Sequence, residues 1–322
     1  MNNMHKENYE KIIELIGSQP EQDLPAGIIA LADAARERLG VSVRAVLFYG
    51  SCLRSGHLSE GLADLYILVV DFKSAFNSRV PAFFNKLLPP NVFYLEIPVE
   101  NLVLRAYYAV LTLADFRKGT ELWFHSYLWG RFAQKTGMIY VCDGDVQDQV
   151  LAALACAVMR FVSQTLPQMD ARFSARDLWL RGLALSYRSE LRTEDPERAA
   201  ERLFEANPAY YRALTRLALE ALPLKVNANE DSETDCYAVE LPGTARRLNV
   251  WGWRARLLQG KVLSLLRLLK GFFTFEGGID YILWKIERHS GVRVEVGATL
   301  RRFPPVAMVV IFWRLYRQDA FR

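Results

Sequence analysis

Two apolar runs, Val43-Arg-Ala-Val-Leu-Phe-Tyr49 and Ala63-Asp-Leu-Tyr-Ile-Leu-Val69, stand on either side of a Gly50-Ser51 break. Short runs rich in β-branched and aromatic residues read as buried strands, so the chain is committed early to a sheet whose first connection turns at Gly50. Residues 52 to 63 separate Ser51 from Asp64, room for a short helix and a return turn. Glycine has no Cβ, so backbone N–H groups at Gly50 can come close to a phosphate, and Ser51 adds a hydroxyl donor. Asp64, near the start of the second run, supplies the kind of carboxylate that holds Mg2+ between protein and phosphate oxygens. An ordinary turn beside a surface carboxylate is the other reading, and these residues alone leave both open.

A two-carboxylate metal site places its acids in alternation, on one face of a strand. Here the alternate position is Tyr66. Asp71, at the end of the same run, and Glu96, in Phe93-Tyr-Leu-Glu-Ile97, are the candidates to complete the shell. The histidines (5, 57, 125 and 289) and cysteines (52, 142, 156 and 236) are scattered, which speaks against a zinc site or a disulfide framework and fits a reducing compartment. Any metal is therefore expected to be bound by oxygen.

With 322 residues, 51% of them hydrophobic, the chain is expected to hold two or three domains. Strands are expected at 43–49, 64–70, 92–98 and 104–111, with Pro89-Pro90 as a break before the third. Helices are expected over Glu21 to Leu39, after Asp115 as an N-cap, over Gln149 to Thr165, over Ser174 to Ser189, and after Asp195-Pro196 and Asn207-Pro208. Residues 226–236 are the most polar stretch and read as a linker or exposed loop. The first residues, with acids and no apolar core, resemble neither a secretory signal nor an Arg-rich transit peptide, so the mature chain is expected to begin here. The late apolar run Val306 to Trp313 is shorter than the ~20 residues a spanning helix needs.

Charge is uneven. From Gly243 to Arg322 there are fifteen Lys or Arg against five Asp or Glu, a net of +10, and the rest of the chain nets −6. Trp251, Trp253, Trp284 and Trp313 lie in that segment. Trp251 to Lys270 reads as an amphipathic helix suited to an anionic bilayer surface; a helix that buries its leucines on its own domain is the competing reading.

In the middle of the chain, Trp123-Phe-His-Ser-Tyr127-Leu-Trp-Gly130-Arg131 resembles the Trp, Tyr and Gly-Arg segment of the mitochondrial-type phosphatidate cytidylyltransferases, the peripheral CDP-diacylglycerol synthases of the translocator-assembly-and-maintenance family. Other blocks are similar to that family in the same order: Phe48-Tyr49-Gly50-Ser51, Ala63-Asp64 to Asp71, Tyr107 to Asp115, Phe173 to Trp179, Leu183 to Arg192, and the basic Leu266 to Gly271 and Tyr281 to Lys285. The chain departs from the pattern at Cys52, where the family tends to have glycine, and at Tyr107, where it tends to have lysine.

The resemblance implies an α+β chain: a nucleotidyltransferase (polymerase-β-like) mixed-sheet domain over 1–114, a helical domain over 115–225, a polar linker over 226–242 and a basic, membrane-associating C-terminal region over 243–322. It implies a Mg2+-dependent reaction of CTP with phosphatidate. Asp64 would be the metal ligand, with Tyr49, Gly50 and Ser51 at the triphosphate. Arg131 and Lys135 are candidate nucleotide-phosphate contacts, because guanidinium and ammonium groups suit phosphate oxygens; Tyr187 and Arg192 are candidates for the lipid phosphate, and Tyr187 is equally readable as core. The expected partners are CTP, phosphatidate and an anionic membrane, with no nucleic acid, and the expected location is cytoplasmic, peripheral on the inner face of the membrane. Another phosphorylated lipid, a soluble acceptor or an RNA end, or a catalytically silent membrane-binding scaffold, remain alternatives.

Overall fold

The computed structural model describes residues 3–18, 24, 27–56, 58, 62–76, 79–99, 102–191, 194–224, 226–229 and 235–274. The chain is α+β and divides into two compact units. One comprises Met1–Asp23 with Leu113–Leu265, the other Leu24–Thr112 with Leu266–Arg322.

Helix α1 (Asn3–Gly17) belongs to the first of these units, not with the strands that follow it in sequence. Its Ile12 is fully buried, and the Tyr9 hydroxyl donates to the carbonyl of Ala152 at 3.0 Å. The expected first domain over 1–114 therefore lacks its opening helix: burial of an apolar face, which sequence order does not control, assigns α1 to the helical unit.

The sheet unit opens with α2 (Ile28–Leu39), which buries Ile28, Leu31, Ala32, Ala35 and Leu39 in a three-and-four spacing. It starts at Ile28, directly after Gly27 at φ +87°, and the expected start at Glu21 lies outside the described residues. Then come β1 (Val43–Tyr49), the short α3 (Ser51–Ser55), β2 (Ala63–Val69), α4 (Phe72–Ala75), α5 (Arg79–Leu87), β3 (Asn91–Val99) and β4 (Leu102–Thr112). Within this unit the strand order is β3-β4-β2-β1. The β1/β2 and β3/β4 pairs are antiparallel and β2/β4 is parallel, so the sheet is mixed. Near-continuous burial along β1 and β2 marks strands covered on both faces. Before β3 the chain turns through Pro89-Pro90, joined by a cis peptide bond. The buried Asn85 side chain closes that turn, donating to the carbonyl of Val110 at 3.0 Å and accepting from the Asn91 N–H at 2.6 Å.

The helical unit continues with α6 (Leu113–Glu121), α7 (Trp129–Phe132), β5 (Gly137–Val141) and α8 (Gly144–Thr165). Asp115 lies inside the first turn of α6 rather than capping it. Helix α8 begins five residues before Gln149 because Asp143 caps it through the Val146 N–H. Together with the turn that follows it, α8 is long and apolar enough to cross a bilayer, yet eleven of its residues are buried against the rest of the unit, as befits a core helix. After β6 (Arg172–Ser174), α9 (Ala175–Arg188) starts with a reciprocal capping box between Ser174 and Asp177. It lays Trp179 on Phe161 of α8, ring centroids 4.6 Å apart. Asp195 caps α10 (Pro196–Ala206), and α11 (Pro208–Ala221) follows.

The expected polar linker contains two strands, β7 (Val226–Asn229) and β8 (Cys236–Val239), which with β6 form a small sheet in the order β6-β8-β7. Helix α12 (Gly243–Thr274) ends the described chain.

Candidate functional site

The Gly-Ser break and the Asp64 strand meet in space. Gly50 sits at φ +92°, ψ −160°, a conformation that L side chains rarely adopt. A Cβ added to it would lie 2.5 Å from Asp64 Oδ2. The backbone at position 50 therefore passes directly over the Asp64 carboxylate, a close approach that only glycine permits. Antiparallel pairing of β1 with β2 produces it, placing Tyr49 opposite Asp64.

The same register extends across the sheet. Asp64 is level with Tyr107 of β4, and Tyr107 with Tyr94 of β3. Residues directly opposite one another share a face, so Tyr49, Asp64, Tyr107 and Tyr94 form one row across four strands. Asp64, Tyr49 and Tyr107 are half-buried, while Tyr94 is buried and its hydroxyl donates to Glu96 Oε2 at 3.0 Å. Burial first, then the Glu96 charge, pushes the Tyr94 phenol well above the usual tyrosine range. Tyr66, at the alternate position where a second acid would stand, is fully buried, its ring 5.4 Å from that of Tyr49.

The other acids are held elsewhere. Asp71 lies seven residues along the chain from Asp64, about 23 Å at strand rise, and its carboxylate caps α4 by accepting from the N–H groups of Lys73 and Ser74. Bonds from the Ser74 backbone and hydroxyl, with that from Lys73, hold its carboxyl below the ordinary value. Glu96 is two strands and two residues away from Asp64, on the order of 11 Å at sheet spacing, and faces Arg105 Nε at 3.7 Å. The structure thus brings Gly50 and Asp64 together and separates Asp71 and Glu96 from them. Ser51 is exposed at the start of α3.

In the helical unit, Gly130 and Arg131 lie in α7. A Cβ on Gly130 would overlap the hydroxyl of Ser186 on α9, so this glycine sets how closely the two helices pack. The buried Arg131 donates through Nη2 to Glu190 Oε2 at 2.9 Å, and its guanidinium lies 4.3 Å from the centre of the Tyr127 ring. Ser126 and Ser189 share a hydrogen bond at 2.9 Å beside it. The buried Tyr187 donates to Gln134 Oε1 at 3.3 Å, and Gln134 donates to the carbonyl of Gly130 at 3.2 Å. Lys135 is half-buried in the turn after α7. Arg192 lies outside the described residues. The Trp-Tyr-Gly-Arg segment is thus a polar core in which a carboxylate and a ring both engage the cation.

Among the described residues no group of three or more His, Cys, Asp or Glu side chains could hold a metal ion. What Asp64 and Gly50 do offer is a half-buried carboxylate packed against a glycine backbone. That suits an ion arriving with phosphate oxygens as its other ligands. Compared with known proteins, the chain matches no family model and no curated protein.

Proposed function

We propose that the chain is a nucleotidyltransferase that uses CTP and Mg2+ to convert phosphatidate into CDP-diacylglycerol and pyrophosphate. The observation that carries this reading is the passage of the Gly50 backbone over the Asp64 carboxylate, so close that a Cβ at position 50 would meet Oδ2 at 2.5 Å. Mg2+ held by Asp64 would neutralise charge on the triphosphate. A phosphate monoester, with its second pKa about 6, is already ionised near neutrality. Its oxygen can attack the α-phosphorus in line while the bond to the β-phosphate breaks and pyrophosphate leaves, with no proton to remove. That step needs no general base, and its catalysis rests on positioning and charge, for which Asp64 is the acid among the described residues of the site. Tyr49 and Tyr107 flank the acid in the register of the sheet.

A second reading has its own observation: Tyr66, fully buried where a second acid would stand, suits a scaffold that kept the shape of the site without transfer. Incubation of the protein with labelled CTP, Mg2+ and phosphatidate vesicles tests both. The proposal expects lipid-extractable label and released pyrophosphate. Label passing to RNA or to a soluble acceptor redirects it to another substrate, and CTP binding without transfer favours the scaffold.

A further inference from the structure

Helix α12 has two faces, and among the described residues only one has a partner. Trp253 is 2% exposed and Arg256 5%. The indole N–H of Trp253 donates to the carbonyl of Gln164 at 2.9 Å, Arg256 Nε donates to the carbonyl of Phe124 at 2.9 Å, and Gly260 packs on the backbone of Ser189. Burial, aided by Arg160, lowers the Arg256 guanidinium to about 10. On the opposite side Leu248, Trp251, Leu258, Val262 and Leu265 are 73%, 65%, 69%, 50% and 50% exposed. With Ala255, also exposed, these positions recur at intervals of three and four residues, one continuous stripe along a helix. Exposed Arg247, Arg254 and Lys261 follow its edge every seventh residue, and Arg254 lies 4.9 Å from the Trp251 ring centre.

We infer that this stripe is the surface by which the protein lies on an anionic lipid bilayer. Charge selects the occupant. The α12 sequence carries seven Lys or Arg and no Asp or Glu, so two copies meeting along the stripe would set basic edges against each other. An anionic bilayer takes the apolar stripe into its headgroup boundary and the basic edge against its phosphates. Trp251 is the side chain best suited to that depth, apolar in body and polar at its N–H. The membrane face so defined excludes Trp253 and Arg256, which the fold already uses. The inference rests on the lipid-substrate reading only for why the chain should go to a membrane; the surface itself comes from α12.

Co-sedimentation of the full chain with phosphatidylcholine vesicles, with and without phosphatidylglycerol, tests it in the absence of CTP and phosphatidate, so that failure of the catalytic reading cannot be mistaken for failure here. The full chain should bind the anionic vesicles, with a blue-shifted emission component that disappears in Trp251→Phe. Leu258→Ser/Val262→Ser and Arg254→Glu/Lys261→Glu should each weaken binding by about tenfold or more, with thermal stability unchanged because all four side chains are exposed. Equal binding by both double variants and the parent chain would overturn the inference. So would no binding by the parent chain, or a parent dimer in sedimentation velocity that the Leu258/Val262 variant converts to monomer.

Discussion

Asp64 and Arg131 are both charged groups beside a glycine that the packing demands, and their surroundings differ in kind. Arg131 is buried, with Glu190 at 2.9 Å and the Tyr127 ring at 4.3 Å. Asp64 is half-buried at the edge of a passage of backbone without a Cβ, in a row of phenols. The first arrangement consumes its charge in holding α7 and the end of α9 together. In the proposed function the second presents its carboxylate to a metal ion and phosphate oxygens. Damage to the first should therefore be read in stability, and damage to the second in binding and turnover.

The largest stability effect is expected from Arg131→Ala, which removes the buried Arg131–Glu190 ion pair. Loss of one member of a buried pair costs about 3–5 kcal/mol, measurable by denaturant unfolding. If the variant unfolds like the parent chain and loses CTP affinity instead, Arg131 is a ligand-binding residue and the contrast with Asp64 collapses. Gly50→Ala comes next: a positive φ forced on alanine costs about 1–2 kcal/mol, and its Cβ must displace the Asp64 carboxylate. CTP binding should fall much further than melting temperature suggests, and a fall in stability alone would mean that Asp64 faces no ligand.

The sheet unit also carries a pH signature of its own. Lys270, 7% exposed, donates to the carbonyls of Leu88 and Pro90. Burial first, then nearby Arg267, lowers its amine from 10.5 to about 7. Between those values the unfolded chain holds a proton that the folded chain has released. Stability should therefore rise with pH from about 7 toward 10.5, by at most about 1.4 kcal/mol per pH unit from this group. Unfolding curves across that range should show the slope in the parent chain and a flatter one in Lys270→Met. Smallest is Ser51→Ala. Its hydroxyl is exposed, so fold stability should not change, while CTP affinity should weaken by about 1 kcal/mol for one lost hydrogen bond; unchanged affinity would remove Ser51 from the site.

What local pattern can encode was legible in the chain. The four strands of the sheet unit lie within two residues of their expected bounds, and the caps at Ser174 and Asp195 start α9 and α10 as their side-chain chemistry requires. Choices between equivalent tertiary partners were not legible. Trp251-x-x-Arg254 and Trp253-x-x-Arg256 are the same motif two residues apart, yet one pair is exposed and the other forms core, because only the shape of the rest of its own unit decides which face packs. Helix α1 likewise gives no local sign that it joins a unit more than a hundred residues later. Asp71 did carry a readable signal, since an acid three residues before Ser74 at a helix start is a capping pattern, and the cap engages the carboxylate that the metal site seemed to want.

Isothermal titration of Mg2+ and CTP into the folded Asp64→Asn variant, beside the parent chain, tests the central claim most directly. The substitution keeps the side chain's shape and removes its charge. Binding in the parent chain, with at least a tenfold loss in Asp64→Asn, about 1.4 kcal/mol, is the expected result. Equal affinity in the two proteins would contradict the proposal that Asp64 and the Gly50 turn form a nucleotide site.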